Sequence, residues 1–283
     1  MNKITKTLLV TSGICGGAGV LLLTVGMLMG ARGSQFWDAL SIQIKDGWDR
    51  GIFEEEVRKS DEEETDGGSG QWNTTVHSNV RELDIDLGAR KIYLEGYDGD
   101  NIQVLVENDD KKVTVKQKGK ELQIGMGTSM MQNDQKERIV KVLIPQEYEF
   151  DEVDVSIGAG ECIMEKLNAK TIDMETGAGS ILGEGLIQAE ESSWDVSAGS
   201  IVLEELQSED TEIDCAAGSF EATFAGEEED YYLEGDVGAG SFQVGGSSWD
   251  TLGKNISLGD KHAAKRIFSD CAAGSITIDF VKS

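Results

Sequence analysis

Acidic side chains recur at two fixed distances before a repeated glycine in the second half of the chain. Four positions before that glycine stand Ser156, Glu175, Asp195, Asp214, Asp236 and Asp270. Six positions before it stand Asp154, Asp173, Ser193, Glu212, Glu234 and Phe268. If these segments stack, like charges lie about 4.8 Å apart, and each contact costs about 1 kcal/mol in water. Two interpretations follow: a ladder of solvated charge, or a groove that collects calcium, as a weak site, or cationic peptides. The residues of this cation ladder would be Glu175, Asp195, Asp214 and Asp236.

Motifs of the common enzyme classes are missing from the sequence. The two histidines, His77 and His262, have no HExxH or Cys-x-x-Cys partner that would indicate zinc. The Gly-Ser pairs are repeats rather than one nucleophile elbow, and there is no phosphate-binding Gly-Lys-Ser loop. Carbohydrate lyases on β-solenoids use Asp with Arg or Lys, but these repeats are poor in Arg. We predict a protein that is not an enzyme and has no cofactor beyond weakly bound calcium; a glycan-active enzyme is the weakest alternative.

A small-residue corner, repeated six times, must position the acidic columns. Its last glycines are Gly160, Gly179, Gly199, Gly218, Gly240 and Gly274. The steps between them are 19, 20, 19, 22 and 34 residues, and an alanine precedes each one. A period near 20 residues is typical of a solenoid, in which each repeat is one coil stacked on its neighbours. We expect these glycines to be structural, because each supplies a corner where other residues would be strained.

Apolar columns flank the corners. Three positions before the glycine stand Ile157, Thr176, Val196, Cys215, Val237 and Cys271. Two positions after it stand Cys162, Ile181, Ile201, Phe220, Phe242 and Ile276. Small or apolar residues at alternating positions predict strands with one face turned into a narrow core. The sequence therefore predicts an all-β fold, a parallel β-solenoid over residues 72–283, whose part before Val153 is irregular and more hairpin-like.

Three cysteines fall in these inward columns, where a thiol behaves as a small hydrophobe. If the coils stack in chain order, the coil of Val237 separates Cys215 from Cys271. Two strand spacings amount to about 9.6 Å, which exceeds the limit of about 7 Å between the Cα atoms of a disulfide. The expected stacking therefore excludes a disulfide between Cys215 and Cys271.

The charge of the chain narrows the class of partner. The formal net charge is -28 among 283 residues. A protein that binds nucleic acid needs a basic face, so nucleic acid is excluded as a partner. An anionic bilayer surface is disfavoured for the same reason. Acidic surfaces most often serve solubility; the other interpretation is a cationic partner or bound cations.

An uncharged run over residues 8–31 predicts a transmembrane helix, because about 20 residues span a bilayer. Lys3 and Lys6 precede it and an acidic chain follows. The positive-inside rule then puts residues 1–7 in the cytoplasm and the β domain outside. A cleaved signal peptide is the alternative, although Gly30-Ala31-Arg32-Gly33 is a poor cleavage site. The oligomeric state stays open.

Residues 32–57 predict an amphipathic helix next to the membrane, since Leu40, Ile44, Trp48 and Ile52 recur at every fourth position. The alternative is a helix that packs on the end of the β domain. Residues 58–71 are acidic and end in a Gly/Ser segment, which is typical of a linker.

These features together resemble a known family. The N-terminal anchor, the segment Glu95-Gly96-Tyr97-Asp98-Gly99-Asp100, the strand from Val142 to Pro145 and the Gly-x-Gly-Ser coils are similar to the bacterial β-strand-repeat domain of unknown function that carries an adhesin label. The similarity covers residues 76–281. It implies a protein of the cell envelope, common in Gram-positive bacteria, with relatives in envelope-stress responses to membrane-active peptides. It supplies no functional residues.

The sequence thus predicts a non-enzymatic, single-pass protein of the bacterial cell membrane, whose extracellular acidic solenoid binds an envelope component or a cationic peptide. The alternative is a regulatory or scaffolding module that acts on a neighbouring membrane protein through the anchor and the helix beside it.

Overall fold

The computed structural model describes residues 72–107, 112–126, 138–249 and 253–281. The described residues form β-strands, turns and one 3-10 turn, Glu228–Asp230, so the all-β prediction is confirmed. None of the helical structure in these ranges is long and apolar enough to cross a membrane. The predicted anchor (8–31), amphipathic helix (32–57) and linker (58–71) lie outside the described residues and remain predictions.

The described residues contain twenty-one strands. The first ten are β1 (Trp72–His77), β2 (Glu82–Asp86), β3 (Lys91–Tyr97), β4 (Ile102–Glu107), β5 (Val113–Lys118), β6 (Glu121–Met126), β7 (Ile139–Pro145), β8 (Phe150–Ile157), β9 (Glu161–Met164) and β10 (Leu167–Thr176). The others are β11 (Ser180–Gln188), β12 (Glu191–Val196), β13 (Ser200–Gln207), β14 (Asp210–Cys215), β15 (Ser219–Phe224), β16 (Tyr231–Val237), β17 (Ser241–Val244), β18 (Ser247–Trp249), β19 (Lys254–Leu258), β20 (Lys265–Cys271) and β21 (Ser275–Phe280).

The strands form two sheets, and each coil contributes one strand to each. Sheet A has the order β1-β4-β7-β3-β9-β11-β13-β15-β21-β17-β18. Sheet B has the order β5-β6-β2-β8-β10-β12-β14-β20-β16-β19. From β7 to β17 in sheet A and from β6 to β16 in sheet B, all neighbours are parallel. The middle of the structure is therefore solenoid-like, as the period predicted.

The core lies between the two sheets. Both apolar columns point into it, and none of their twelve side chains is more than 2 % exposed. Aromatic rings fill part of this core; those of Trp194 and Phe220 have centroids 6.3 Å apart. Alternation of buried and exposed residues along each strand leaves the acidic columns on the outer face of sheet B.

Close approach between coils explains the corner glycines. A Cβ atom on Gly218 would lie well inside 3.0 Å of the Gly199 carbonyl oxygen, and one on Gly199 would meet the Gly179 oxygen in the same way. None of the six corner glycines is among the described glycines with positive φ. Glycine is thus required here because the backbone of the preceding coil occupies the Cβ position, rather than because of the φ strain that we expected.

The last coils do not stack in chain order, which corrects the sequence prediction. β14 pairs with β20 and β15 with β21, while β16 and β17 pair with the far side of β20 and β21. The reason is that β18 and β19 run antiparallel along the outside of β17 and β16. They carry the chain around the end coil, and the last two strands then enter between the two coils. The 34-residue step between Gly240 and Gly274 contains this detour.

This exchange also overturns the exclusion of a disulfide. Cys215 and Cys271 are in-register neighbours on β14 and β20, with no coil between them. The coil of Val237 lies beyond Cys271. The expected distance of two strand spacings was wrong because chain order was taken as stacking order.

The other end of the solenoid repeats the exchange. β2 and β3 adjoin β8 and β9, while β6 and β7, which follow them in the chain, form the outer coil. Antiparallel strands cover this end, with β5 beside β6, and β4 and then β1 beside β7. The N-terminal part thus has antiparallel strands at its edge, as predicted, while β2, β3, β6 and β7 form parallel coils. Arg90 takes the corner position of the first coil, because its carbonyl oxygen accepts from Glu161 N as the corner glycines do elsewhere.

Candidate functional site

Two rows of side chains on the outer face of sheet B form the candidate site. The first row runs Asp86, Ser156, Glu175, Asp195, Asp214, Asp270, Asp236. The second runs Asp84, Asp154, Asp173, Ser193, Glu212, Phe268, Glu234. We call these fourteen side chains the acidic face. Eleven of them are acidic and none is basic.

The residues of the predicted cation ladder lie in the first row, but they are not consecutive. Glu175, Asp195 and Asp214 are direct neighbours. Asp270 stands between Asp214 and Asp236, because its strand is the one inserted between the two coils. Sequence reasoning placed Asp270 in the right column and at the wrong position along it, and left it out of the ladder.

Electrostatic crowding is strongest in the middle of the acidic face. Partial burial between neighbouring strands, together with the negative charges of Asp214 and Asp173, raises the pKa of Asp195 to about 7. Partial burial and the charges of Glu212 and Asp270 raise the pKa of Asp214 to about 6. The carboxyl groups therefore hold protons more tightly than free aspartate does, and the face carries repulsion that a cation would relieve.

Basic side chains stand near the margin of the acidic face. Arg266 contacts Asp210 at 2.6 Å, and Lys170 contacts Asp151 at 2.5 Å; these four residues lie outside the two rows. The outer face of sheet A differs, because ion pairs lie within it: Lys91 with Glu161 at 3.0 Å and Lys141 with Glu95 at 2.8 Å. Ion pairs thus lie within the outer face of sheet A, whereas the two rows on sheet B contain no basic side chain.

An exposed aromatic ring interrupts the second row. Phe268 is 41 % exposed and lies between Glu212 and Glu234. It borders a surface depression of about 230 Å³, here called the Phe268 depression, whose other charged lining residues are Glu212, Asp214, Glu234, Asp236 and Asp270. The ring of Tyr232 packs edge-on against Phe268 with the centroids 6.5 Å apart. An aromatic face surrounded by carboxylates suits a guanidinium or ammonium group.

The sequence could not reveal the Phe268 depression. In chain order Phe268 is the last member of its column, which predicts a position on the end coil. The insertion of β20 between β14 and β16 instead places it between two glutamates. The long final step between corners was the one signal that something other than simple stacking occurs there.

A metal centre is not apparent in the described ranges. No three His, Cys, Asp or Glu side chains there are grouped so that they could hold a metal ion. The carboxylates of the acidic face follow the strand spacing in rows instead of converging on a point. The calcium prediction for the ladder therefore concerns a weak, shared site between neighbouring strands, and it stays a prediction.

Comparison with known families settles the class of the domain. Residues 80–283 match the family described as Toastrack DUF4097. The chain belongs to that family. The resemblance predicted from the repeats is confirmed. No curated protein matches this Toastrack chain.

Solved structures show distant likenesses. A putative cell adhesion protein from Clostridium sporogenes is 11 % identical, with 75 % of this chain and 99 % of that chain covered and a TM-score of 0.37. A putative lipid binding protein from Parabacteroides distasonis is 16 % identical, with 76 % and 98 % covered and a TM-score of 0.37. A putative adhesin from Bacteroides fragilis is 15 % identical, with 74 % and 98 % covered and a TM-score of 0.34.

Proposed function

We propose that this Toastrack protein is a non-enzymatic, membrane-anchored protein of the bacterial cell envelope whose acidic face binds a cationic peptide segment of an envelope partner. The observation that carries the proposal is the acidic face itself, with eleven acidic and no basic side chains among the fourteen of its two rows. Family membership and the absence of catalytic motifs from the sequence support a binding role.

Charge repulsion favours binding by a cation. The raised pKa values of Asp195 and Asp214 mean that their ionised forms are destabilised in the folded protein. A guanidinium or ammonium group placed between the rows converts this repulsion into attraction. Because the fold holds like charges together in the free protein, a bound cation relieves their mutual repulsion in addition to attracting each carboxylate.

The length of the rows favours a peptide over a single ion. Seven strands at a spacing of about 4.8 Å extend the acidic face over about 29 Å. An extended peptide of about nine residues covers that distance. One calcium ion would neutralise only a pair of neighbouring carboxylates, so most of the face would remain repulsive.

The Phe268 depression gives the face one position that differs from the rest. A cation over an exposed aromatic ring gains about 0.5–1 kcal/mol. Glu212 and Glu234 on either side of Phe268 supply the carboxylates for the same group. We assign this depression to an arginine or lysine side chain of the partner, with the rows on both sides holding the flanking basic residues.

Membrane attachment belongs to the same proposal. Residues 8–31 would anchor the chain with its N-terminus inside, and residues 32–71 would connect the anchor to the β domain outside. The domain would then meet basic segments of envelope proteins or of membrane-active peptides near the membrane surface.

Binding of a fluorescent oligo-arginine peptide to the full chain in non-ionic detergent tests the proposal. The variant Glu212→Gln/Asp214→Asn/Asp195→Asn should weaken binding about tenfold, which corresponds to about 0.5 kcal/mol for each lost charge. The matched control Glu204→Gln/Glu221→Gln/Asp279→Asn removes the same charge from sheet A and should change the Kd less than about twofold. Equal weakening by both variants would reduce the effect to net charge and refute a specific face.

A further inference from the structure

Two buried cysteines lie on neighbouring strands, one of which is the inserted strand β20. Cys215 ends β14 and Cys271 ends β20, and they are in-register Cα partners in parallel strands. Each is 2 % exposed. Both side chains belong to the same inward column, so they point to the same side of sheet B. No other residue lies between them in that column.

The distance between the two strands suits a covalent bond. Neighbouring strands place in-register Cα atoms about 4.8 Å apart, within the range of about 4.4–6.8 Å that disulfides span. The Cys215 sulfur leans toward the β20 coil, since it would lie 2.5 Å from a Cβ atom placed on Gly274 of that coil. The thiol of Cys215 also donates to the carbonyl oxygen of Ser275, in that same coil, at 3.8 Å. The Cys271 sulfur leans toward the next coil, since it would lie 2.7 Å from a Cβ atom placed on Gly240. The bond therefore requires the Cys271 side chain to rotate toward Cys215.

The third described cysteine is far from this pair. Cys162 lies on β9 in sheet A, in a column that continues through Ile181, Ile201 and Phe220 before it reaches β21. Three strand spacings to the coil of Cys215, about 14 Å, and four to the coil of Cys271, about 19 Å, exclude it as a partner of either thiol. Pairing within the described part of the chain is therefore selective.

We propose that Cys215 and Cys271 form a disulfide by exchange with a small-molecule disulfide, and that this bond fastens the inserted coil β20–β21 to the body of the solenoid. The thiolate of one cysteine attacks a sulfur of the small disulfide, whose S–S bond breaks and releases one thiol. The second cysteine then loses its proton and attacks the mixed disulfide, which releases the other thiol. Two protein thiols are oxidised and one small disulfide is reduced to two thiols.

Cys271 is the first nucleophile. The neighbouring Cys215 thiol, as the larger influence, and the Gly274 backbone lower the pKa of Cys271 below that of an ordinary cysteine. Burial keeps an oxidant away from both sulfurs in the closed solenoid. The end coil of β16 and β17 covers β20 and β21 on their outer side, so the exchange takes place while this coil is open, during folding or local fraying.

The bond would close a loop over residues 216–270, which includes β15 to β19. Because β20 and β21 enter the stack between two coils that precede them in the chain, their docking closes long loops and loses chain entropy. A disulfide between β14 and β20 removes much of that entropy from the unfolded chain. The C-terminal coil then opens less readily, and the thermal transition of the domain moves to higher temperature.

Refolding of the full chain in non-ionic detergent, with glutathione as the redox pair, tests the bond. The Cys15→Ala background excludes the cysteine outside the described residues. After refolding with oxidised glutathione, free thiols are alkylated and the protein is digested for mass spectrometry. We expect a peptide of Cys215 joined to a peptide of Cys271, with Cys162 alkylated. The oxidised protein should melt several degrees above the reduced one, and dithiothreitol should abolish the difference.

Two controls make each outcome decisive. Cys162→Ala should retain both the cross-linked peptide and the rise in Tm, whereas Cys215→Ser should lose both. Alkylation of Cys215 and Cys271 after oxidative refolding would overturn the bond, as would their random joining to Cys162. A correct cross-link without any rise in Tm would overturn its role in fastening the inserted coil.

Discussion

Gly274 stacks directly on Gly218, although 55 residues and another corner of the same type, at Gly240, lie between them in the chain. The amide of Ser275 donates to the carbonyl oxygen of Gly218 at 3.0 Å, and the amide of Ser241 donates to that of Gly274 at the same distance. The corner of the last strand pair is therefore the middle one of three consecutive corners. This relationship determines the order of the acidic face, the position of Phe268 and the meeting of Cys215 with Cys271.

Gly218→Ala should destabilise the domain by about 2–4 kcal/mol. The added Cβ would clash with the Gly199 carbonyl oxygen and with the Val196 side chain. Neither can retreat easily, because one is backbone in the adjoining coil and the other is a buried core residue. Gly88→Ala is the control, since a Cβ there would meet nothing within 4 Å; it should change the free energy of unfolding by less than about 0.5 kcal/mol. Chemical denaturation measures both, and equal losses would contradict stacking of the corners.

The periodic part of the fold was predictable because its cause is local. Alternation assigns the inward columns, and the repeated glycine marks where one coil crosses the next. The exchange of the last coils was not predictable from these patterns. Stacking Gly274 on Gly240 or on Gly218 buries the same kinds of side chain, so the two arrangements give identical columns. What decides between them is the antiparallel pairing of β18 with β17 and of β19 with β16, a tertiary choice.

For the same reason the acidic columns were predictable and the Phe268 depression was not. The residues that face outward follow from periodicity. Which outward residues are neighbours depends on the order of the strands, and that order places Phe268 between Glu212 and Glu234. The corner of Arg90 was missed because it lacks the glycine by which the other corners were recognised.

Phe268→Leu should weaken binding of the oligo-arginine peptide about two- to fivefold. The change keeps an apolar side chain of similar size and removes the aromatic face, whose attraction for a cation is about 0.5–1 kcal/mol. Phe268→Tyr keeps an aromatic face and should bind within about twofold of the parent. Fluorescence anisotropy measures the three Kd values. If Leu and Tyr behave alike, the ring takes no part in recognition and the acidic rows alone account for binding.

Millimolar calcium should raise the Tm of the parent more than sodium does at matched ionic strength. A cation that binds only the folded state stabilises it by mass action, whereas screening by sodium is generic. Asp195→Asn/Asp214→Asn removes the central pair of the ladder and should abolish the calcium increment. It should also raise stability in calcium-free buffer, because two repelling charges are gone. Equal shifts with calcium and sodium in the parent would show that the ladder does not coordinate the ion.

The stability of the domain should increase as the pH falls from about 7.5 to about 5.5. In the folded state the pKa of Asp195 is about 7 and that of Asp214 about 6, while the ordinary value of both is 3.8. At pH values between the ordinary pKa and the raised pKa of the folded state, the folded protein binds more protons than the unfolded chain. The free energy of unfolding therefore rises as the pH falls through this range. Glu175, Asp173 and Glu212 face Asp195 as well, and their charges act in the same direction.

Asp195→Asn separates this effect from other titrations. Since the side chain is partly exposed, water screens much of the shift, and we expect a gain of about 1–2 kcal/mol at pH 7.5. The gain should shrink toward pH 5.5, where Asp195 of the parent is already largely protonated in the folded state. Asp279→Asn, an exposed acid on sheet A, should leave the pH profile of the parent unchanged. Urea denaturation across this pH window provides the measurement, and a parent that loses stability on acidification would refute the crowding of charge on the acidic face.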